Sequence, residues 1–231
     1  MDAHTLKVWQ RGQALLWLPA FAAISLWPRP AWLPLAAAAV LVPSYLLLFA
    51  WISSRRPADW VTLARALLLC GVLAQAGLTG ALGLTAWLLA GAALAADLLD
   101  GVVARRWGGS AAGAVLDMEA DQAATLGLAV LAVVPCGVGP WVLALPALRY
   151  GFVLLGWLLA LPAHDPKPKD GDNRRARRIC ACTMLLLWLA LVPAAAPGLR
   201  AACGGLALGL LLYSYADDLL FLLRRREVSQ R

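Results

Sequence analysis

The chain has 231 residues, of which 62% are hydrophobic and only 14% are charged, and its mean hydropathy is +0.74. This composition excludes an ordinary water-soluble domain and predicts a protein that crosses a membrane several times. The formal net charge of +7 comes from lysines and arginines that cluster between apolar runs, as in cytoplasmic loops, so nucleic acid is not expected as a partner.

Apolar runs, taken in chain order, predict an all-α membrane bundle of about eight transmembrane helices. Two of them form an N-terminal unit within residues 1–56, and six form a second unit within residues 57–231. The runs cover about residues 14–27, 31–52, 59 onward, 82–106, 112–134, 141–161, 179–191 and 199–223.

The third helix is predicted to begin at Asp59, because its carboxylate suits the N-cap position. Thr62 and Arg65 follow at intervals of three residues, which places them on one face of that helix. The helix therefore brings a hydroxyl and a guanidinium into an otherwise apolar segment.

Five of the chain's 13 acidic residues fall between positions 97 and 121. Helical spacing places Asp97 and Asp100 on one face of the fourth helix, and Asp117 and Asp121 on one face of the fifth. At ~1.5 Å per residue, the two pairs lie at similar depths below the basic turn that joins these helices. Arg105, which shares the stripe of Asp97 and Asp100, cannot alone neutralise four carboxylates in apolar surroundings. Oxygen ligands of this kind favour two Mg²⁺ or Mn²⁺ ions, which clamp a pyrophosphate in phosphoryl transfer.

The same stretch matches a known signature. The pattern D-x-x-D-G-x-x-A-R, followed after a short gap by G-x-x-x-D-x-x-x-D, is typical of the CDP-alcohol phosphotransferases. The chain resembles this family over about residues 59–226. All fixed positions of the signature are present, as Asp97, Asp100, Gly101, Ala104, Arg105, Gly113, Asp117 and Asp121.

The resemblance implies a membrane enzyme of phospholipid synthesis, in which an alcohol displaces CMP from a CDP-linked donor. The donor is often CDP-diacylglycerol, and the alternative is a soluble CDP-alcohol that reacts with a lipid acceptor. A different class of function is an ion-coupled carrier that uses intramembrane carboxylates. A carrier would distribute its acidic residues along a path, whereas here they cluster at one depth.

The resemblance also implies roles for individual residues. Asp121 would accept the proton of the acceptor hydroxyl. Thr62 and Arg65 match a Thr and an Arg of the family's first core helix, so they are candidates for substrate binding, although Asp59 replaces the family's Asn. Two divalent ions would be held by Asp97, Asp100, Asp117 and Asp121. The CDP moiety would be contacted by Gly101, Ala104, Arg105 and Gly113.

Three more arginines are candidate substrate contacts. Arg149 lies near the middle of the sixth helix, and the alternative for it is an ion pair with Asp217 or Asp218 of the last helix. Arg174 and Arg175 precede the seventh helix and suit a phosphate. The alternative for the basic segment around them is a loop that sets topology and contacts anionic membrane lipids.

Two features concern helix packing. Glu119 points away from the stripe of Asp117 and Asp121 and is expected to bind a polar group of a neighbouring helix. Gly205 and Gly209 form a G-x-x-x-G pair that is expected to pack within the chain, with a homodimer face as the alternative.

The distribution of basic residues predicts the orientation of the chain. With eight crossings, both termini and the basic clusters fall on the cytoplasmic side. The acidic site would then open to the cytoplasm from a bacterial-type inner membrane, where CDP-linked substrates are available.

Overall fold

The structure, a computed structural model, describes residues 3–26, 30–52, 55–108, 111–159 and 174–229. Within the helices, the description of side chains excludes positions 3–7, 98, 100–102, 104, 105, 111, 174 and 222–229. The described chain is helical and contains no strand, which confirms the predicted all-α class.

Within these residues eight α-helices follow one another, and a short 3-10 turn (Pro140–Leu143) precedes the sixth. They are α1 (Ala3–Leu26), α2 (Leu33–Ala50), α3 (Pro57–Thr79), α4 (Leu84–Trp107), α5 (Ala111–Val133), α6 (Ala144–Leu158), α7 (Arg174–Ala190) and α8 (Pro197–Ser229).

Four of the described segments are long and apolar enough to cross a membrane. By length and composition these are Leu33–Ala50, Pro57–Thr79, Pro140–Leu158 and Pro197–Phe221. The protein is therefore a helical membrane protein, while the count of eight crossings remains a prediction.

Several helices extend beyond the predicted apolar runs. Helix α1 begins at Ala3 and not near residue 14, α7 begins at Arg174 and not at residue 179, and α8 continues to Ser229. The added residues include many arginines and other polar residues. Arginine is a good helix former, so a helix can continue into a charged segment where an apolar run has already ended.

Helix α3 begins in a different way from the prediction. Its N-cap is Arg56, and Pro57 occupies the first helical position, where proline is favoured because its missing N–H costs no hydrogen bond. Asp59 is therefore not the N-cap. Its Oδ2 accepts a hydrogen bond from the backbone N–H of Arg56 at 2.8 Å, which is the role of the third residue in a capping box.

Helix α3 packs against α2, α4 and α5. The close approach of α2 requires a glycine, because a Cβ on Gly77 would overlap the backbone of Leu35. The helix ends at Thr79 and is capped by Gly80, whose φ of 68° is the left-handed conformation that glycine adopts without strain. These contacts fix the face of α3 that carries Arg65.

A tryptophan pair joins α4 to α7. Trp87 and Trp188 stack with ring centroids 4.3 Å apart, and each indole Nε1 donates to the other residue's carbonyl oxygen, at 3.1 and 3.0 Å. Gly91 allows this contact, because a Cβ there would lie 2.8 Å from the Trp188 ring. Helix α7 also packs against α5 and α8, and so it borders the helices that carry the acidic residues.

The expected packing of Gly205 and Gly209 within the chain is wrong. Both glycines are exposed, and a Cβ on either would meet no atom of the described chain within 4 Å. The inner face of α8 instead contains Cys203, Gly204 and Ala207, and a Cβ on Gly204 would lie 3.0 Å from the Trp141 ring. The inner face is thus offset from the glycine pair, which sequence spacing alone does not reveal.

Candidate active site

Arg65 lies among three aspartates that come from two other helices. Its Nη1 is 2.9 Å from Oδ1 of Asp97, on α4. Its Nη2 is 2.5 Å from Oδ1 of Asp117 and 3.0 Å from Oδ1 of Asp121, both on α5. Arg65 is 5% exposed, so its guanidinium is held inside the bundle by these carboxylates.

The packing of α3, α4 and α5 explains why these side chains meet. Asp117 and Asp121 are one helical turn apart and therefore share a face of α5. The hydroxyl of Thr125 donates to the carbonyl oxygen of Asp121 at 3.0 Å, within the next turn. The predicted convergence of the two halves of the acidic motif is confirmed for Asp97, Asp117 and Asp121.

The aspartate cluster, meaning Asp97, Asp117 and Asp121, carries more negative charge than Arg65 can balance. Three carboxylates face one guanidinium, which leaves an excess of two negative charges among these four side chains. The aspartate side chains are 37%, 44% and 23% exposed, so water and ions can reach them. One oxygen of each carboxylate lies within 4.8 Å of the others. This donor set fits a hard divalent cation.

Part of the predicted set lies outside the described side chains. Gly113 is buried in the first turn of α5, one helical turn before Asp117. For five other predicted residues the structure describes the backbone but not the side chain. These are Asp100, Gly101, Ala104, Arg105 and Arg174.

Two other candidates have contacts within the protein. Thr62 is buried, and its Oγ1 donates to the carbonyl oxygen of Ala58 at 3.1 Å within α3. Arg175 lies 3.2 Å from Oδ2 of Asp217 on α8 and 4.6 Å from the centre of the Tyr213 ring. A phosphate at Arg175 would therefore share this arginine with a carboxylate.

Arg149 has a partner that the sequence did not identify. Its Nη2 is 3.9 Å from Oε1 of Glu119, whereas the sequence suggested Asp217 or Asp218 as partners. The expectation that Glu119 binds a polar group of a neighbouring helix is confirmed. Arg149 also lies beside Met118, with its Nη2 3.4 Å from the sulfur.

The central position of Arg65 was missed by sequence reasoning, which weighed the aspartates against Arg105 only. A signal was present, because Thr62 and Arg65 share a face of an apolar helix. An arginine inside an apolar helix is expected to pair with a carboxylate. The aspartate motif was the densest cluster of acidic residues in the sequence and therefore the natural partner.

A cleft lies beside Arg65, between α2, α3, α4 and α5. It has room for little more than one water molecule, and apart from Arg65 its lining is apolar. The walls include Leu41, Leu69, Ala93, Ala120 and Ala124.

Comparison with known families identifies the segment that contains this site. The family model described as CDP-alcohol phosphatidyltransferase matches residues 55–213. The match includes Arg65 and the whole aspartate cluster, whereas α1 and α2 precede it. No curated protein and no solved structure matches the chain.

Proposed function

The chain belongs to the CDP-alcohol phosphatidyltransferase family, and from this premise we propose that it transfers a phosphatidyl group from CDP-diacylglycerol to a small alcohol. The family comprises phosphotransferases for substituted phosphate groups, so the chain is a membrane-bound enzyme of this kind. The observation that carries the proposal is the meeting of Asp97, Asp117 and Asp121 around Arg65.

We propose that the aspartate cluster, together with Asp100, holds two Mg²⁺ or Mn²⁺ ions. The excess negative charge among the described side chains supports this, as do the carboxylate oxygens that lie within 4.8 Å of one another. When bound, the ions supply positive charge that offsets the charge of the donor's pyrophosphate. The chain's own residues then have to orient the two substrates and remove one proton.

In the proposed reaction, the acceptor oxygen forms a bond to the phosphorus that carries the diacylglycerol. The bond between this phosphorus and the CMP oxygen breaks, and CMP leaves. Asp121 takes the proton of the acceptor hydroxyl, which is a general-base role. The CDP moiety is assigned to Gly101, Ala104, Arg105 and Gly113.

Arg65 supplies a fixed positive charge next to the reacting phosphate in this proposal. Its burial and its contacts with three carboxylates hold the guanidinium in one place, which reduces the cost of orienting it during the reaction. Further substrate contacts are assigned to Thr62, Arg174 and Arg175, whereas Arg149 pairs with Glu119 on the opposite face of α5.

A second form of the reaction uses a soluble CDP-alcohol as donor and a lipid as acceptor. The aspartate cluster serves both forms equally, because each form breaks a pyrophosphate bond of a CDP-linked donor. An ion-coupled carrier is less well supported, because Asp97, Asp117 and Asp121 meet at one point and do not form a path.

We further propose that residues 57–231 form the catalytic unit and that residues 1–56 add two helices. The exposed pair Gly205 and Gly209 is proposed as a face for a homodimer.

Both termini and the active site are assigned to the cytoplasmic side of a bacterial-type inner membrane. In intact cells, an impermeant maleimide should label a variant that retains only Cys136 and should spare one that retains only Cys180. Labelling of Cys180 from outside the cell would contradict the proposed orientation.

The test of the reaction uses the purified full-length protein with labelled CDP-diacylglycerol and a panel of alcohols. Mass spectrometry of the lipid extract should show one new phospholipid, and CMP should appear in equal amount. The Asp117→Asn variant serves as the inactive control. If no alcohol yields a lipid product, but a CDP-alcohol with diacylglycerol does, the second form of the reaction is correct.

A further inference from the structure

The buried carboxylate of Glu119 forms a second polar group on α5, apart from the aspartate cluster. Its Oε2 accepts from Nε1 of Trp9 at 3.4 Å, and its Oε1 accepts from Nε2 of Gln10 at 3.3 Å. Nη2 of Arg149 lies 3.9 Å from the same Oε1. Glu119 is only 6% exposed, and these three neighbours are all donors, so both of its oxygens are used as acceptors.

The main chain of Glu119 makes its own contact with α2. The Tyr45 hydroxyl donates to the Glu119 carbonyl oxygen at 2.6 Å, and Tyr45 is 4% exposed. Inside a helix this oxygen already accepts from the N–H four residues further on, so Tyr45 adds a second donor to it. One residue of α5 thereby contacts α1, α2 and α6.

The position of Glu119 gives these contacts a mechanical consequence. At about 100° per residue, Glu119 points roughly 160° away from both Asp117 and Asp121 around the α5 axis. Side-chain tips lie about 5 to 6 Å from a helix axis, so a rotation of about 10° would move each aspartate by about 1 Å. A misplacement on the order of 1 Å can cost about a hundredfold in rate.

We infer that Glu119 is a positioning residue, which ties α1 and α2 to α5 and so fixes the direction in which Asp117 and Asp121 point. The catalytic part of this inference rests on the proposed function, whereas the contacts do not. It gives a role in the reaction to the N-terminal helices, which lie outside the segment matched by the family.

The first test compares two tryptophans of α1 in the full-length protein in detergent. Trp9→Phe removes the indole N–H that reaches Glu119 but keeps an aromatic ring against Trp51. Trp17→Phe is the matched control, because Nε1 of Trp17 donates to Gln13 within α1 at 2.8 Å. We expect kcat to fall about threefold in Trp9→Phe, with the donor KM within about twofold, and to stay unchanged in Trp17→Phe.

The second test replaces one acceptor oxygen of the carboxylate by a donor, in Glu119→Gln. We expect kcat to fall at least about tenfold, again with little change in the donor KM. The double variant with Trp9→Phe should lose no more than Glu119→Gln alone, because Trp9 acts through Glu119. With Mn²⁺ as the probe and no substrate present, spin resonance should show about tenfold weaker binding, and amide exchange in α1 and α2 should accelerate.

These measurements separate positioning from simple stabilisation. If Glu119→Gln lowers the melting temperature while kcat and Mn²⁺ affinity of the folded protein stay at wild-type values, the inference is wrong. Should Glu119→Gln fail to fold, Trp9→Phe decides, and a kcat equal to that of Trp17→Phe overturns the inference. If the wild-type protein uses no CDP-linked donor but Mn²⁺ affinity still responds to Glu119→Gln, the proposed function fails and the coupling stands.

Discussion

Helix α5 carries acidic side chains on two opposite faces, and an arginine from another helix meets each of them. On one face, a single described guanidinium, that of Arg65, meets the three negative charges of the aspartate cluster, whose side chains are 23 to 44% exposed. On the other face, the Glu119 side chain is 7% exposed and its charge is matched by Arg149. The aspartate cluster with Arg65 and the Glu119–Arg149 pair thus differ in charge balance and in access to water.

This difference separates a binding site from a structural contact. A buried carboxylate that is matched in charge and hydrogen-bonded has no further need of a cation, and removing one partner is costly. A partly exposed group with excess negative charge gains by binding a cation. The comparison therefore predicts that divalent ions affect one face of α5 directly and the other only through the helix.

Removal of divalent ions should have the largest effect. With EDTA, transfer activity should fall to background, and Mg²⁺ or Mn²⁺ should restore it, because the excess charge of the aspartate cluster otherwise repels the donor pyrophosphate. Asp97→Asn and Asp117→Asn should each weaken Mn²⁺ binding, measured by calorimetry, since each removes one anionic ligand. Full turnover by a metal-free preparation would contradict the metal proposal.

Loss of the proposed base should come next. Asp121→Asn should lower turnover at least about a hundredfold, because general-base catalysis contributes about two to four orders of magnitude. Donor affinity should fall much less, since Asp97 and Asp117 remain. Arg105→Ala should instead weaken donor binding, by roughly 1.5 to 3 kcal/mol, and should affect turnover less. Calorimetry and turnover together check both variants, and near-normal turnover of Asp121→Asn would disprove the base assignment.

The two arginines should respond differently to metal. Arg65→Gln removes a positive charge that shares oxygens with the aspartate cluster, so Mn²⁺ binding should become about tenfold tighter, a Coulombic effect on the order of 1 kcal/mol. Mg²⁺ should also raise the melting temperature of this variant more than that of the wild type. Arg149→Gln is the control, and it should bind Mn²⁺ no more tightly than the wild type. Equal Mn²⁺ affinity in Arg65→Gln and the wild type would show that Arg65 does not compete with the ion.

The sequence predicted the features that depend on local spacing. The helical class followed from apolar runs, and the meeting of Asp97 with Asp117 and Asp121 followed from a motif at similar depths. The partners of Glu119 could not be predicted, because Trp9, Gln10 and Tyr45 lie 74 to 110 positions away and reach it only through packing. Which group balances a charge depends on tertiary contacts, whereas which residues share a helical face does not.

Asp59 provides the smallest test, because its carboxylate belongs to neither face of α5. It is 3% exposed and accepts a hydrogen bond from the Arg56 N–H at the start of α3. Asp59→Ala should lower the free energy of unfolding by about 1 kcal/mol, since a capping contact and a negative charge near a helix N-terminus are lost. Asp59→Asn should cost less, because the amide keeps an acceptor oxygen.

The consequence for catalysis distinguishes this capping carboxylate from the aspartate cluster. Arg65 lies nearly two turns further along α3, in a part of the helix held by α2, α4 and α5, so loosening the first turn should leave the turnover of folded protein within about twofold. Thermal unfolding in detergent beside turnover checks both variants. The family commonly has an Asn at this position, so the alternative is that the side-chain oxygen at position 59 contacts the substrate. If Asp59→Ala lost more than about tenfold in turnover while Asp59→Asn kept it, the side-chain oxygen would act on the substrate, and the site would extend from the aspartate cluster to the start of α3.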